Sequence, residues 1–180
     1  MSNYAIANST TPAGTAAAAI GSSYTSIIAI AASSGNQTSP PVNLGFRRGK
    51  VYDILVGSNA TPADGYAEWE MSRVTMGTTV IYLGSVSSLS SNYSLDVGDL
   101  GFQAIGVMNA SAGSTAVIAR TAALWYVGVN QRASYRWVAA PGSELVYPAV
   151  SSATAGNGLA INARTAGTGF IVTATIMFSE

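Results

Sequence analysis

The chain has 180 residues with no histidine and no cysteine, and only 9% of it is charged. These absences exclude several kinds of chemistry before any motif is sought. Without histidine, no side chain has an unperturbed pKa between about pH 5 and 8, so a Ser–His–Asp system and an ordinary pH switch are both ruled out. Without cysteine there is no thiolate nucleophile and no disulfide, and the two absences together remove the usual ligands of zinc, copper and iron. Lysine is nearly missing as well: Lys50 stands beside seven arginines. Arginine favours fixed, planar contacts with carboxylates and aromatic faces, whereas lysine mainly solvates a surface. Eight basic residues balance eight acidic ones, so no net field draws the protein to nucleic acid or to anionic lipid. The longest apolar runs, residues 16–20 and 27–32, fall far short of the ~20 residues needed to cross a bilayer. Residues 1–10 place no basic residue before their apolar stretch, which makes a poor secretory signal. The expectation is a protein made in a cytoplasm, with no nucleic-acid or membrane partner.

What is present is β-texture. Apolar residues make up 48% of the chain, with 19 glycines and six prolines. At 18.3 kDa a single domain can bury roughly 70% of its unfolded surface and needs no cross-links. Period-2 alternation recurs throughout, and it is clearest in residues 170–179. There Phe170, Val172, Ala174, Ile176 and Phe178 share one face, and Ile171, Thr173, Thr175, Met177 and Ser179 the other. In residues 50–56, alternation places Tyr52, Ile54 and Val56 inward and Asp53 outward. In residues 68–72 it places Trp69 and Met71 inward, with Glu68, Glu70 and Ser72 toward water. Further strands are expected at 24–32, 78–83, 115–121, 123–129, 134–139 and 159–164. Turn chemistry separates them at 62–65, 141–143, 156–158 and 167–169, where glycine supplies positive φ and proline presets φ near −65°. Many short strands with no helical period indicate an all-β fold, a single antiparallel sandwich most simply wound as a jelly roll. Residues 15–20 could form one helical turn or an extended segment.

Residues 1–23 carry no charge and few large apolar anchors, so they read either as a first strand plus a loop or as an arm that completes a neighbour's sheet. Residues 24–180 form the body. Tyr4 and Ile6 share a face at strand spacing under both readings.

No Walker motif, dinucleotide fingerprint or Gly-x-Ser-x-Gly elbow is present. Glu68 and Glu70, with Asp64 nearby, are a conceivable glycosidase pair, although acids on a strand's wet face also simply keep a sheet soluble. Asp96 and Asp99 flank Val97-Gly98 and could contribute to calcium binding or form a turn, but no EF-hand pattern follows. No catalytic, cofactor or metal residue is therefore assigned. Arg47 and Arg48 form the one basic cluster, with Lys50. Trp125, Tyr126, Tyr135, Trp137 and Tyr147, interleaved with Arg120, Arg132 and Arg136, form either core or a recognition face. The candidate partner contacts are Tyr4, Ile6, Arg47, Arg48, Arg136 and Tyr147.

The N-terminal segment 2–23 and the stretches 47–57 (RRGKVYDILVG), 131–143 (QRASYRWVAAPGS) and 169–179 (GFIVTATIMFS) give the chain a texture. That texture resembles the head decoration or cement proteins of tailed bacteriophages, small structural proteins with a jelly-roll body. The resemblance implies a non-enzymatic protein of the virion surface that clamps capsomers, commonly as a homotrimer. Its partners would then be copies of itself and the major capsid protein. The low surface charge agrees, since a subunit so poor in charge has faces to hide. A carbohydrate- or receptor-binding head, as at a tail-fibre tip, remains open, with exposed aromatics stacking on sugar rings. Burial of Trp125 and Trp137 would count against it. A carboxylate-pair glycosidase is the third class.

Overall fold

The computed structural model describes residues 3–7, 18–19, 22–32, 48–58, 62–76, 93–94, 104–110, 118–149, 158–166 and 171–180. Every regular element among them is a strand: β1 (Asn3–Ala7), β2 (Ala18–Ala19), β3 (Thr25–Ala32), β4 (Gly49–Ser58), β5 (Tyr66–Met76), β6 (Tyr93–Ser94), β7 (Ala104–Ala110), β8 (Ile118–Asn130), β9 (Tyr135–Val138), β10 (Leu145–Tyr147), β11 (Gly158–Arg164) and β12 (Ile171–Ser179). They build two antiparallel sheets. The first runs β10-β4-β12-β1-β6, with β2 also on β12 and β9 also on β4; the second runs β7-β3-β11-β5-β8. The fold is an all-β sandwich, as the alternating sequence leads one to expect.

The core lies between the sheets because β1, β3, β4, β5, β11 and β12 each turn apolar residues inward. Ile6, Ile54, Val56, Val172, Ala174, Ile176 and Phe178 come from the first sheet. Ile28, Ile30, Ala67, Trp69, Met71, Leu159 and Ile161 come from the second. A fully buried isoleucine or phenylalanine in such a row contributes roughly 1.5–3 kcal/mol. Residues 171–178 behave as the alternation predicts, with Val172, Ala174, Ile176 and Phe178 buried and Ile171 exposed; Ser179, expected on the outer row, is buried as well, and Phe170 lies outside the described residues.

Bulges account for the places where simple alternation fails. On β4, Phe178 pairs with Val51 and Met177 with Asp53, so Tyr52 is the additional residue. The bulge moves Val51 onto the inner face with Ile54 and leaves Tyr52 half-exposed, correcting its expected inward position. On β3 the register steps from Ile28 to Ser26, and both Ile27 and Ile28 are buried. On β8, Leu124 and Thr121 are the additional residues opposite β5. These two bulges absorb the break at Ala122, so the two strands expected at 115–121 and 123–129 are one. The bulges also twist an edge strand that would otherwise offer a flat template for pairing.

Residues 3–7 form a strand of this chain's own sheet. Strand β1 pairs with β12 of its own chain, Tyr4 opposite Phe178 and Ile6 opposite Ile176. The Tyr4 and Phe178 rings are 5.5 Å apart, and both Tyr4 and Ile6 are buried. Ala18 and Ala19 continue along β12 opposite Val172 and Ile171, so at these two residues the extended alternative holds. The strand expected at 78–83 and the turns expected at 156–157 and 167–169 lie outside the described residues.

Strands β9 and β10 follow one another along β4, interrupted by a turn. Ser143 donates its backbone N–H to Ala140 O at 2.9 Å, and Gly142 has φ +86°. With Pro141 before it, this is a type II turn, which requires positive φ at the position glycine holds.

Candidate functional site

The outward row of β5 does not face water as alternation suggests. Tyr66, Glu68, Glu70 and Ser72 share the outer face of the second sheet, but Glu70 and Ser72 are buried. Neighbouring strands supply the reason. Arg164 and Asn162 of β11 stand opposite Glu68 and Glu70, and Ser26 of β3 stands opposite Asn162. Asn162 Nδ2 donates to Ser72 Oγ at 2.7 Å and to Glu70 Oε1 at 3.3 Å, while Ser26 Oγ donates to Asn162 Oδ1 at 2.7 Å. Arg120 of β8 pairs with Glu70 through Nη2. Glu68 accepts from Arg164 Nη2 at 3.0 Å, from the Tyr66 hydroxyl at 2.9 Å and from the Tyr24 hydroxyl. The Arg120 and Arg164 guanidinium carbons lie 4.9 and 4.7 Å from the centre of the Tyr24 ring, a cation–π arrangement.

The electrostatics follow from these contacts. The Tyr24 hydroxyl, Arg164 and Tyr66 hold the Glu68 carboxyl down to about pKa 2. Burial, then the hydrogen bond to Glu68, pushes Tyr24 up to about 12. The bond to Glu68 also raises Tyr66, with a smaller contribution from burial, and Arg164 is held above its ordinary value by the same carboxylate. Glu68 is thus a fixed anion, a poor general acid.

Tyr66 occupies a defined seat. A Cβ on Gly128, which pairs with Glu68 across the sheet, would stand 2.4 Å from Tyr66 Cε2 and 2.9 Å from Cζ. The Cε2–hydroxyl edge of the ring therefore occupies the space a side chain at this position would need, its hydroxyl is tied to Glu68, and Tyr66 is still 51% exposed. Tyr126, two residues along the same face of β8, is 73% exposed. The sequence placed Tyr126 in an aromatic cluster but did not join it to Tyr66, although a glycine inside a strand commonly marks the close approach of another group.

On the outer face of the first sheet, Arg136 Nε donates to both Asp53 oxygens at 3.0 and 3.1 Å. The bonds to Asp53 raise the Arg136 pKa, and they explain how Asp53 is buried on an outer face. Leu55 and Val138 are exposed around this pair.

The candidate contacts therefore separate. Arg48 and Arg136 are at the surface. Tyr4, Ile6 and Tyr147 are buried in the core between the sheets. Arg47 lies outside the described residues, as do Asp96 and Asp99. Trp125, Tyr135 and Trp137 are half-buried and pack against the core, Trp125 edge-on to Tyr135 at 5.8 Å. Arg132 is exposed, and Asp64 accepts from Asn130 Nδ2 at 2.6 Å. Among the described residues no group of three or more acids could hold a metal, and no helix is long and apolar enough to cross a membrane. No family model matches the chain, and comparison with curated proteins and with solved structures found no match.

Proposed function

We propose that the protein is a structural component of a bacteriophage virion that binds the outside of the capsid across junctions between capsomers, as a homotrimer, and stabilises the shell. The observation that carries the reading is the order of the strands. Counting β1 with β2 and β9 with β10 as single interrupted strands, one sheet reads β1-β12-β4-β9 and the other β3-β11-β5-β8. Successive strands alternate between sheets except at the β5–β8 pair, which supports a jelly-roll winding of eight strands, with β6 and β7 added at the far edges. Bodies of this winding serve as viral capsid domains, lectins and cupins. The last rely on side-chain metal ligands, and histidine, the commonest of these, is absent. The fold analogy favours a role; the surface must supply the contact.

Two further observations support a binding protein over a hydrolase. Glu68, Glu70, Asp53 and Glu144 each face a cation, and Glu68 is too acidic to donate a proton near neutrality, as a retaining or inverting acid must. Leu55 and Val138 flank Arg136 on an open sheet face, and an apolar patch bearing arginine suits an interface. With β1 built into its own sheet, the grip falls to such outer faces and not to an N-terminal arm. The test is to add the purified protein to undecorated capsids of the virus that carries its gene and to measure shell occupancy and heat resistance. Wild-type protein should raise both, and Leu55→Glu with Val138→Glu should lower occupancy while the sandwich stays folded. Failure of the wild-type protein to bind would remove the proposal.

A further inference from the structure

The structure assigns a second binding surface to the outer face of the opposite sheet: we propose that Tyr66, Tyr126, Arg164 and Arg120 bind an acidic polysaccharide. The proposal goes beyond capsid attachment and does not depend on it.

The Cε2–hydroxyl edge of the Tyr66 ring rests on Gly128 and its hydroxyl is committed to Glu68, so the ring is held in place with half of its surface exposed. Ordering costs on binding fall on side chains that must be immobilised; this one is already held. Tyr126 stands beside it with most of its surface free. Flat aromatic faces suit the C–H-bearing face of a pyranose ring, where apolar area is buried while the sugar's hydroxyls stay at the rim. Tyrosine serves recognition surfaces well because it offers large, rigid, amphipathic area with few torsions to freeze.

The charge of the ligand follows from which charges are covered. The Glu70 and Glu68 side chains are 2% and 13% exposed, whereas those of Arg120 and Arg164 are 48% and 45% exposed. Four formal charges cancel, yet an approaching molecule meets exposed guanidinium groups and tyrosine rings, with the carboxylates more deeply covered. Each guanidinium gives N–H donors to its buried partner and keeps others for solvent. Such donors match sugar carboxylates, as in uronic acid chains, and the carboxylates beneath keep the arginines in place. Polyanions without sugar rings would find the donors but not the stacking faces.

The experiment titrates the intact protein with a galacturonic acid oligomer, its methyl-esterified neutral counterpart and polyphosphate of similar length, by calorimetry. The acid oligomer should bind, and Tyr126→Ala and Tyr66→Ala should each weaken it at least about ten-fold, the scale of one lost good contact. Gly128→Ala retains both tyrosines but displaces the Tyr66 ring, and should weaken binding similarly. Tyr126 is mostly exposed, so an unchanged melting temperature in Tyr126→Ala keeps the test informative should the other two variants fold poorly. Equal binding of the neutral oligomer would overturn the acidic assignment. No binding of either oligomer, or polyphosphate binding as tight as the acid oligomer and indifferent to Tyr126→Ala, would overturn the site.

Discussion

Gly49 offers a sharp test of how the sandwich is packed. It pairs with Tyr147 across β4 and β10, and a Cβ there would lie 2.0 Å from Tyr147 Cζ and Oη and 2.4 Å from Cε1. The Tyr147 ring is fully buried, edge-on to Phe178 at 6.3 Å, with its hydroxyl donating to Glu180 Oε1 at 2.9 Å. Burial and the Glu180 carboxylate both push the Tyr147 pKa up, so the phenol stays neutral. Gly49→Ala therefore cannot be absorbed by a small shift; the ring has to leave. Overpacking costs about 1–3 kcal/mol and losing a core aromatic about 3–5. We expect about 3 kcal/mol, or about 6–12 °C in a domain of this size. The cause is separable by a double-mutant cycle read by urea unfolding with tryptophan fluorescence. Tyr147→Leu removes the three atoms that the methyl would strike while keeping an apolar side chain. In that background Gly49→Ala should cost almost nothing, and could even gain roughly 0.5–1 kcal/mol from the stiffer backbone. Additive costs in the cycle would refute the packing argument and place the effect in the backbone.

Three other outcomes follow from named contacts. Gly142→Ala should cost about 1–2 kcal/mol from positive φ alone, since a Cβ there meets nothing within 4 Å, and Gly142→Asn should cost less in the same unfolding assay. Ile6→Ala should destabilise the fold by about 2–5 kcal/mol, and deletion of residues 2–7 should lower the melting temperature strongly; an unchanged melt would return β1 to the status of an arm. Stability should be flat from about pH 5 to about pH 9, for want of histidine. Because Glu68 is depressed from 4.5 to about 2, its contribution is complete above pH 4.5 and is lost as pH falls toward 2. Because Tyr24 is raised from 10.0 to about 12, its contribution is complete below pH 10 and is lost as pH climbs through 12. Thermal melts should show the acid slope shrinking in Glu68→Gln and the alkaline slope shrinking in Tyr24→Phe.

Much of the fold was legible because burial in a sandwich imposes period 2, and residues 171–178 carry it without interruption. The sequence read less well wherever a bulge changes the count: at Tyr52, at Ile27 and along β8, one additional residue reverses the face of everything beyond it. Period alone also cannot tell whose sheet a strand joins, so Tyr4 and Ile6 fitted an arm and a first strand equally. The outer face of the second sheet was hidden for a different reason. Glu70 and Ser72 read as wet because their partners, Asn162 and Arg120, are far away in sequence, and only the strand order brings them together. Tyr66 and Gly128 were likewise too far apart for the seat to be seen.

Attachment to a shell, as proposed above, is tested most directly by electron cryo-microscopy of phage particles assembled with and without the protein. Three-fold sandwich density is expected on the outer capsid surface, bridging capsomers and absent from particles assembled without the protein. Intact particles with no such density on the shell would contradict it.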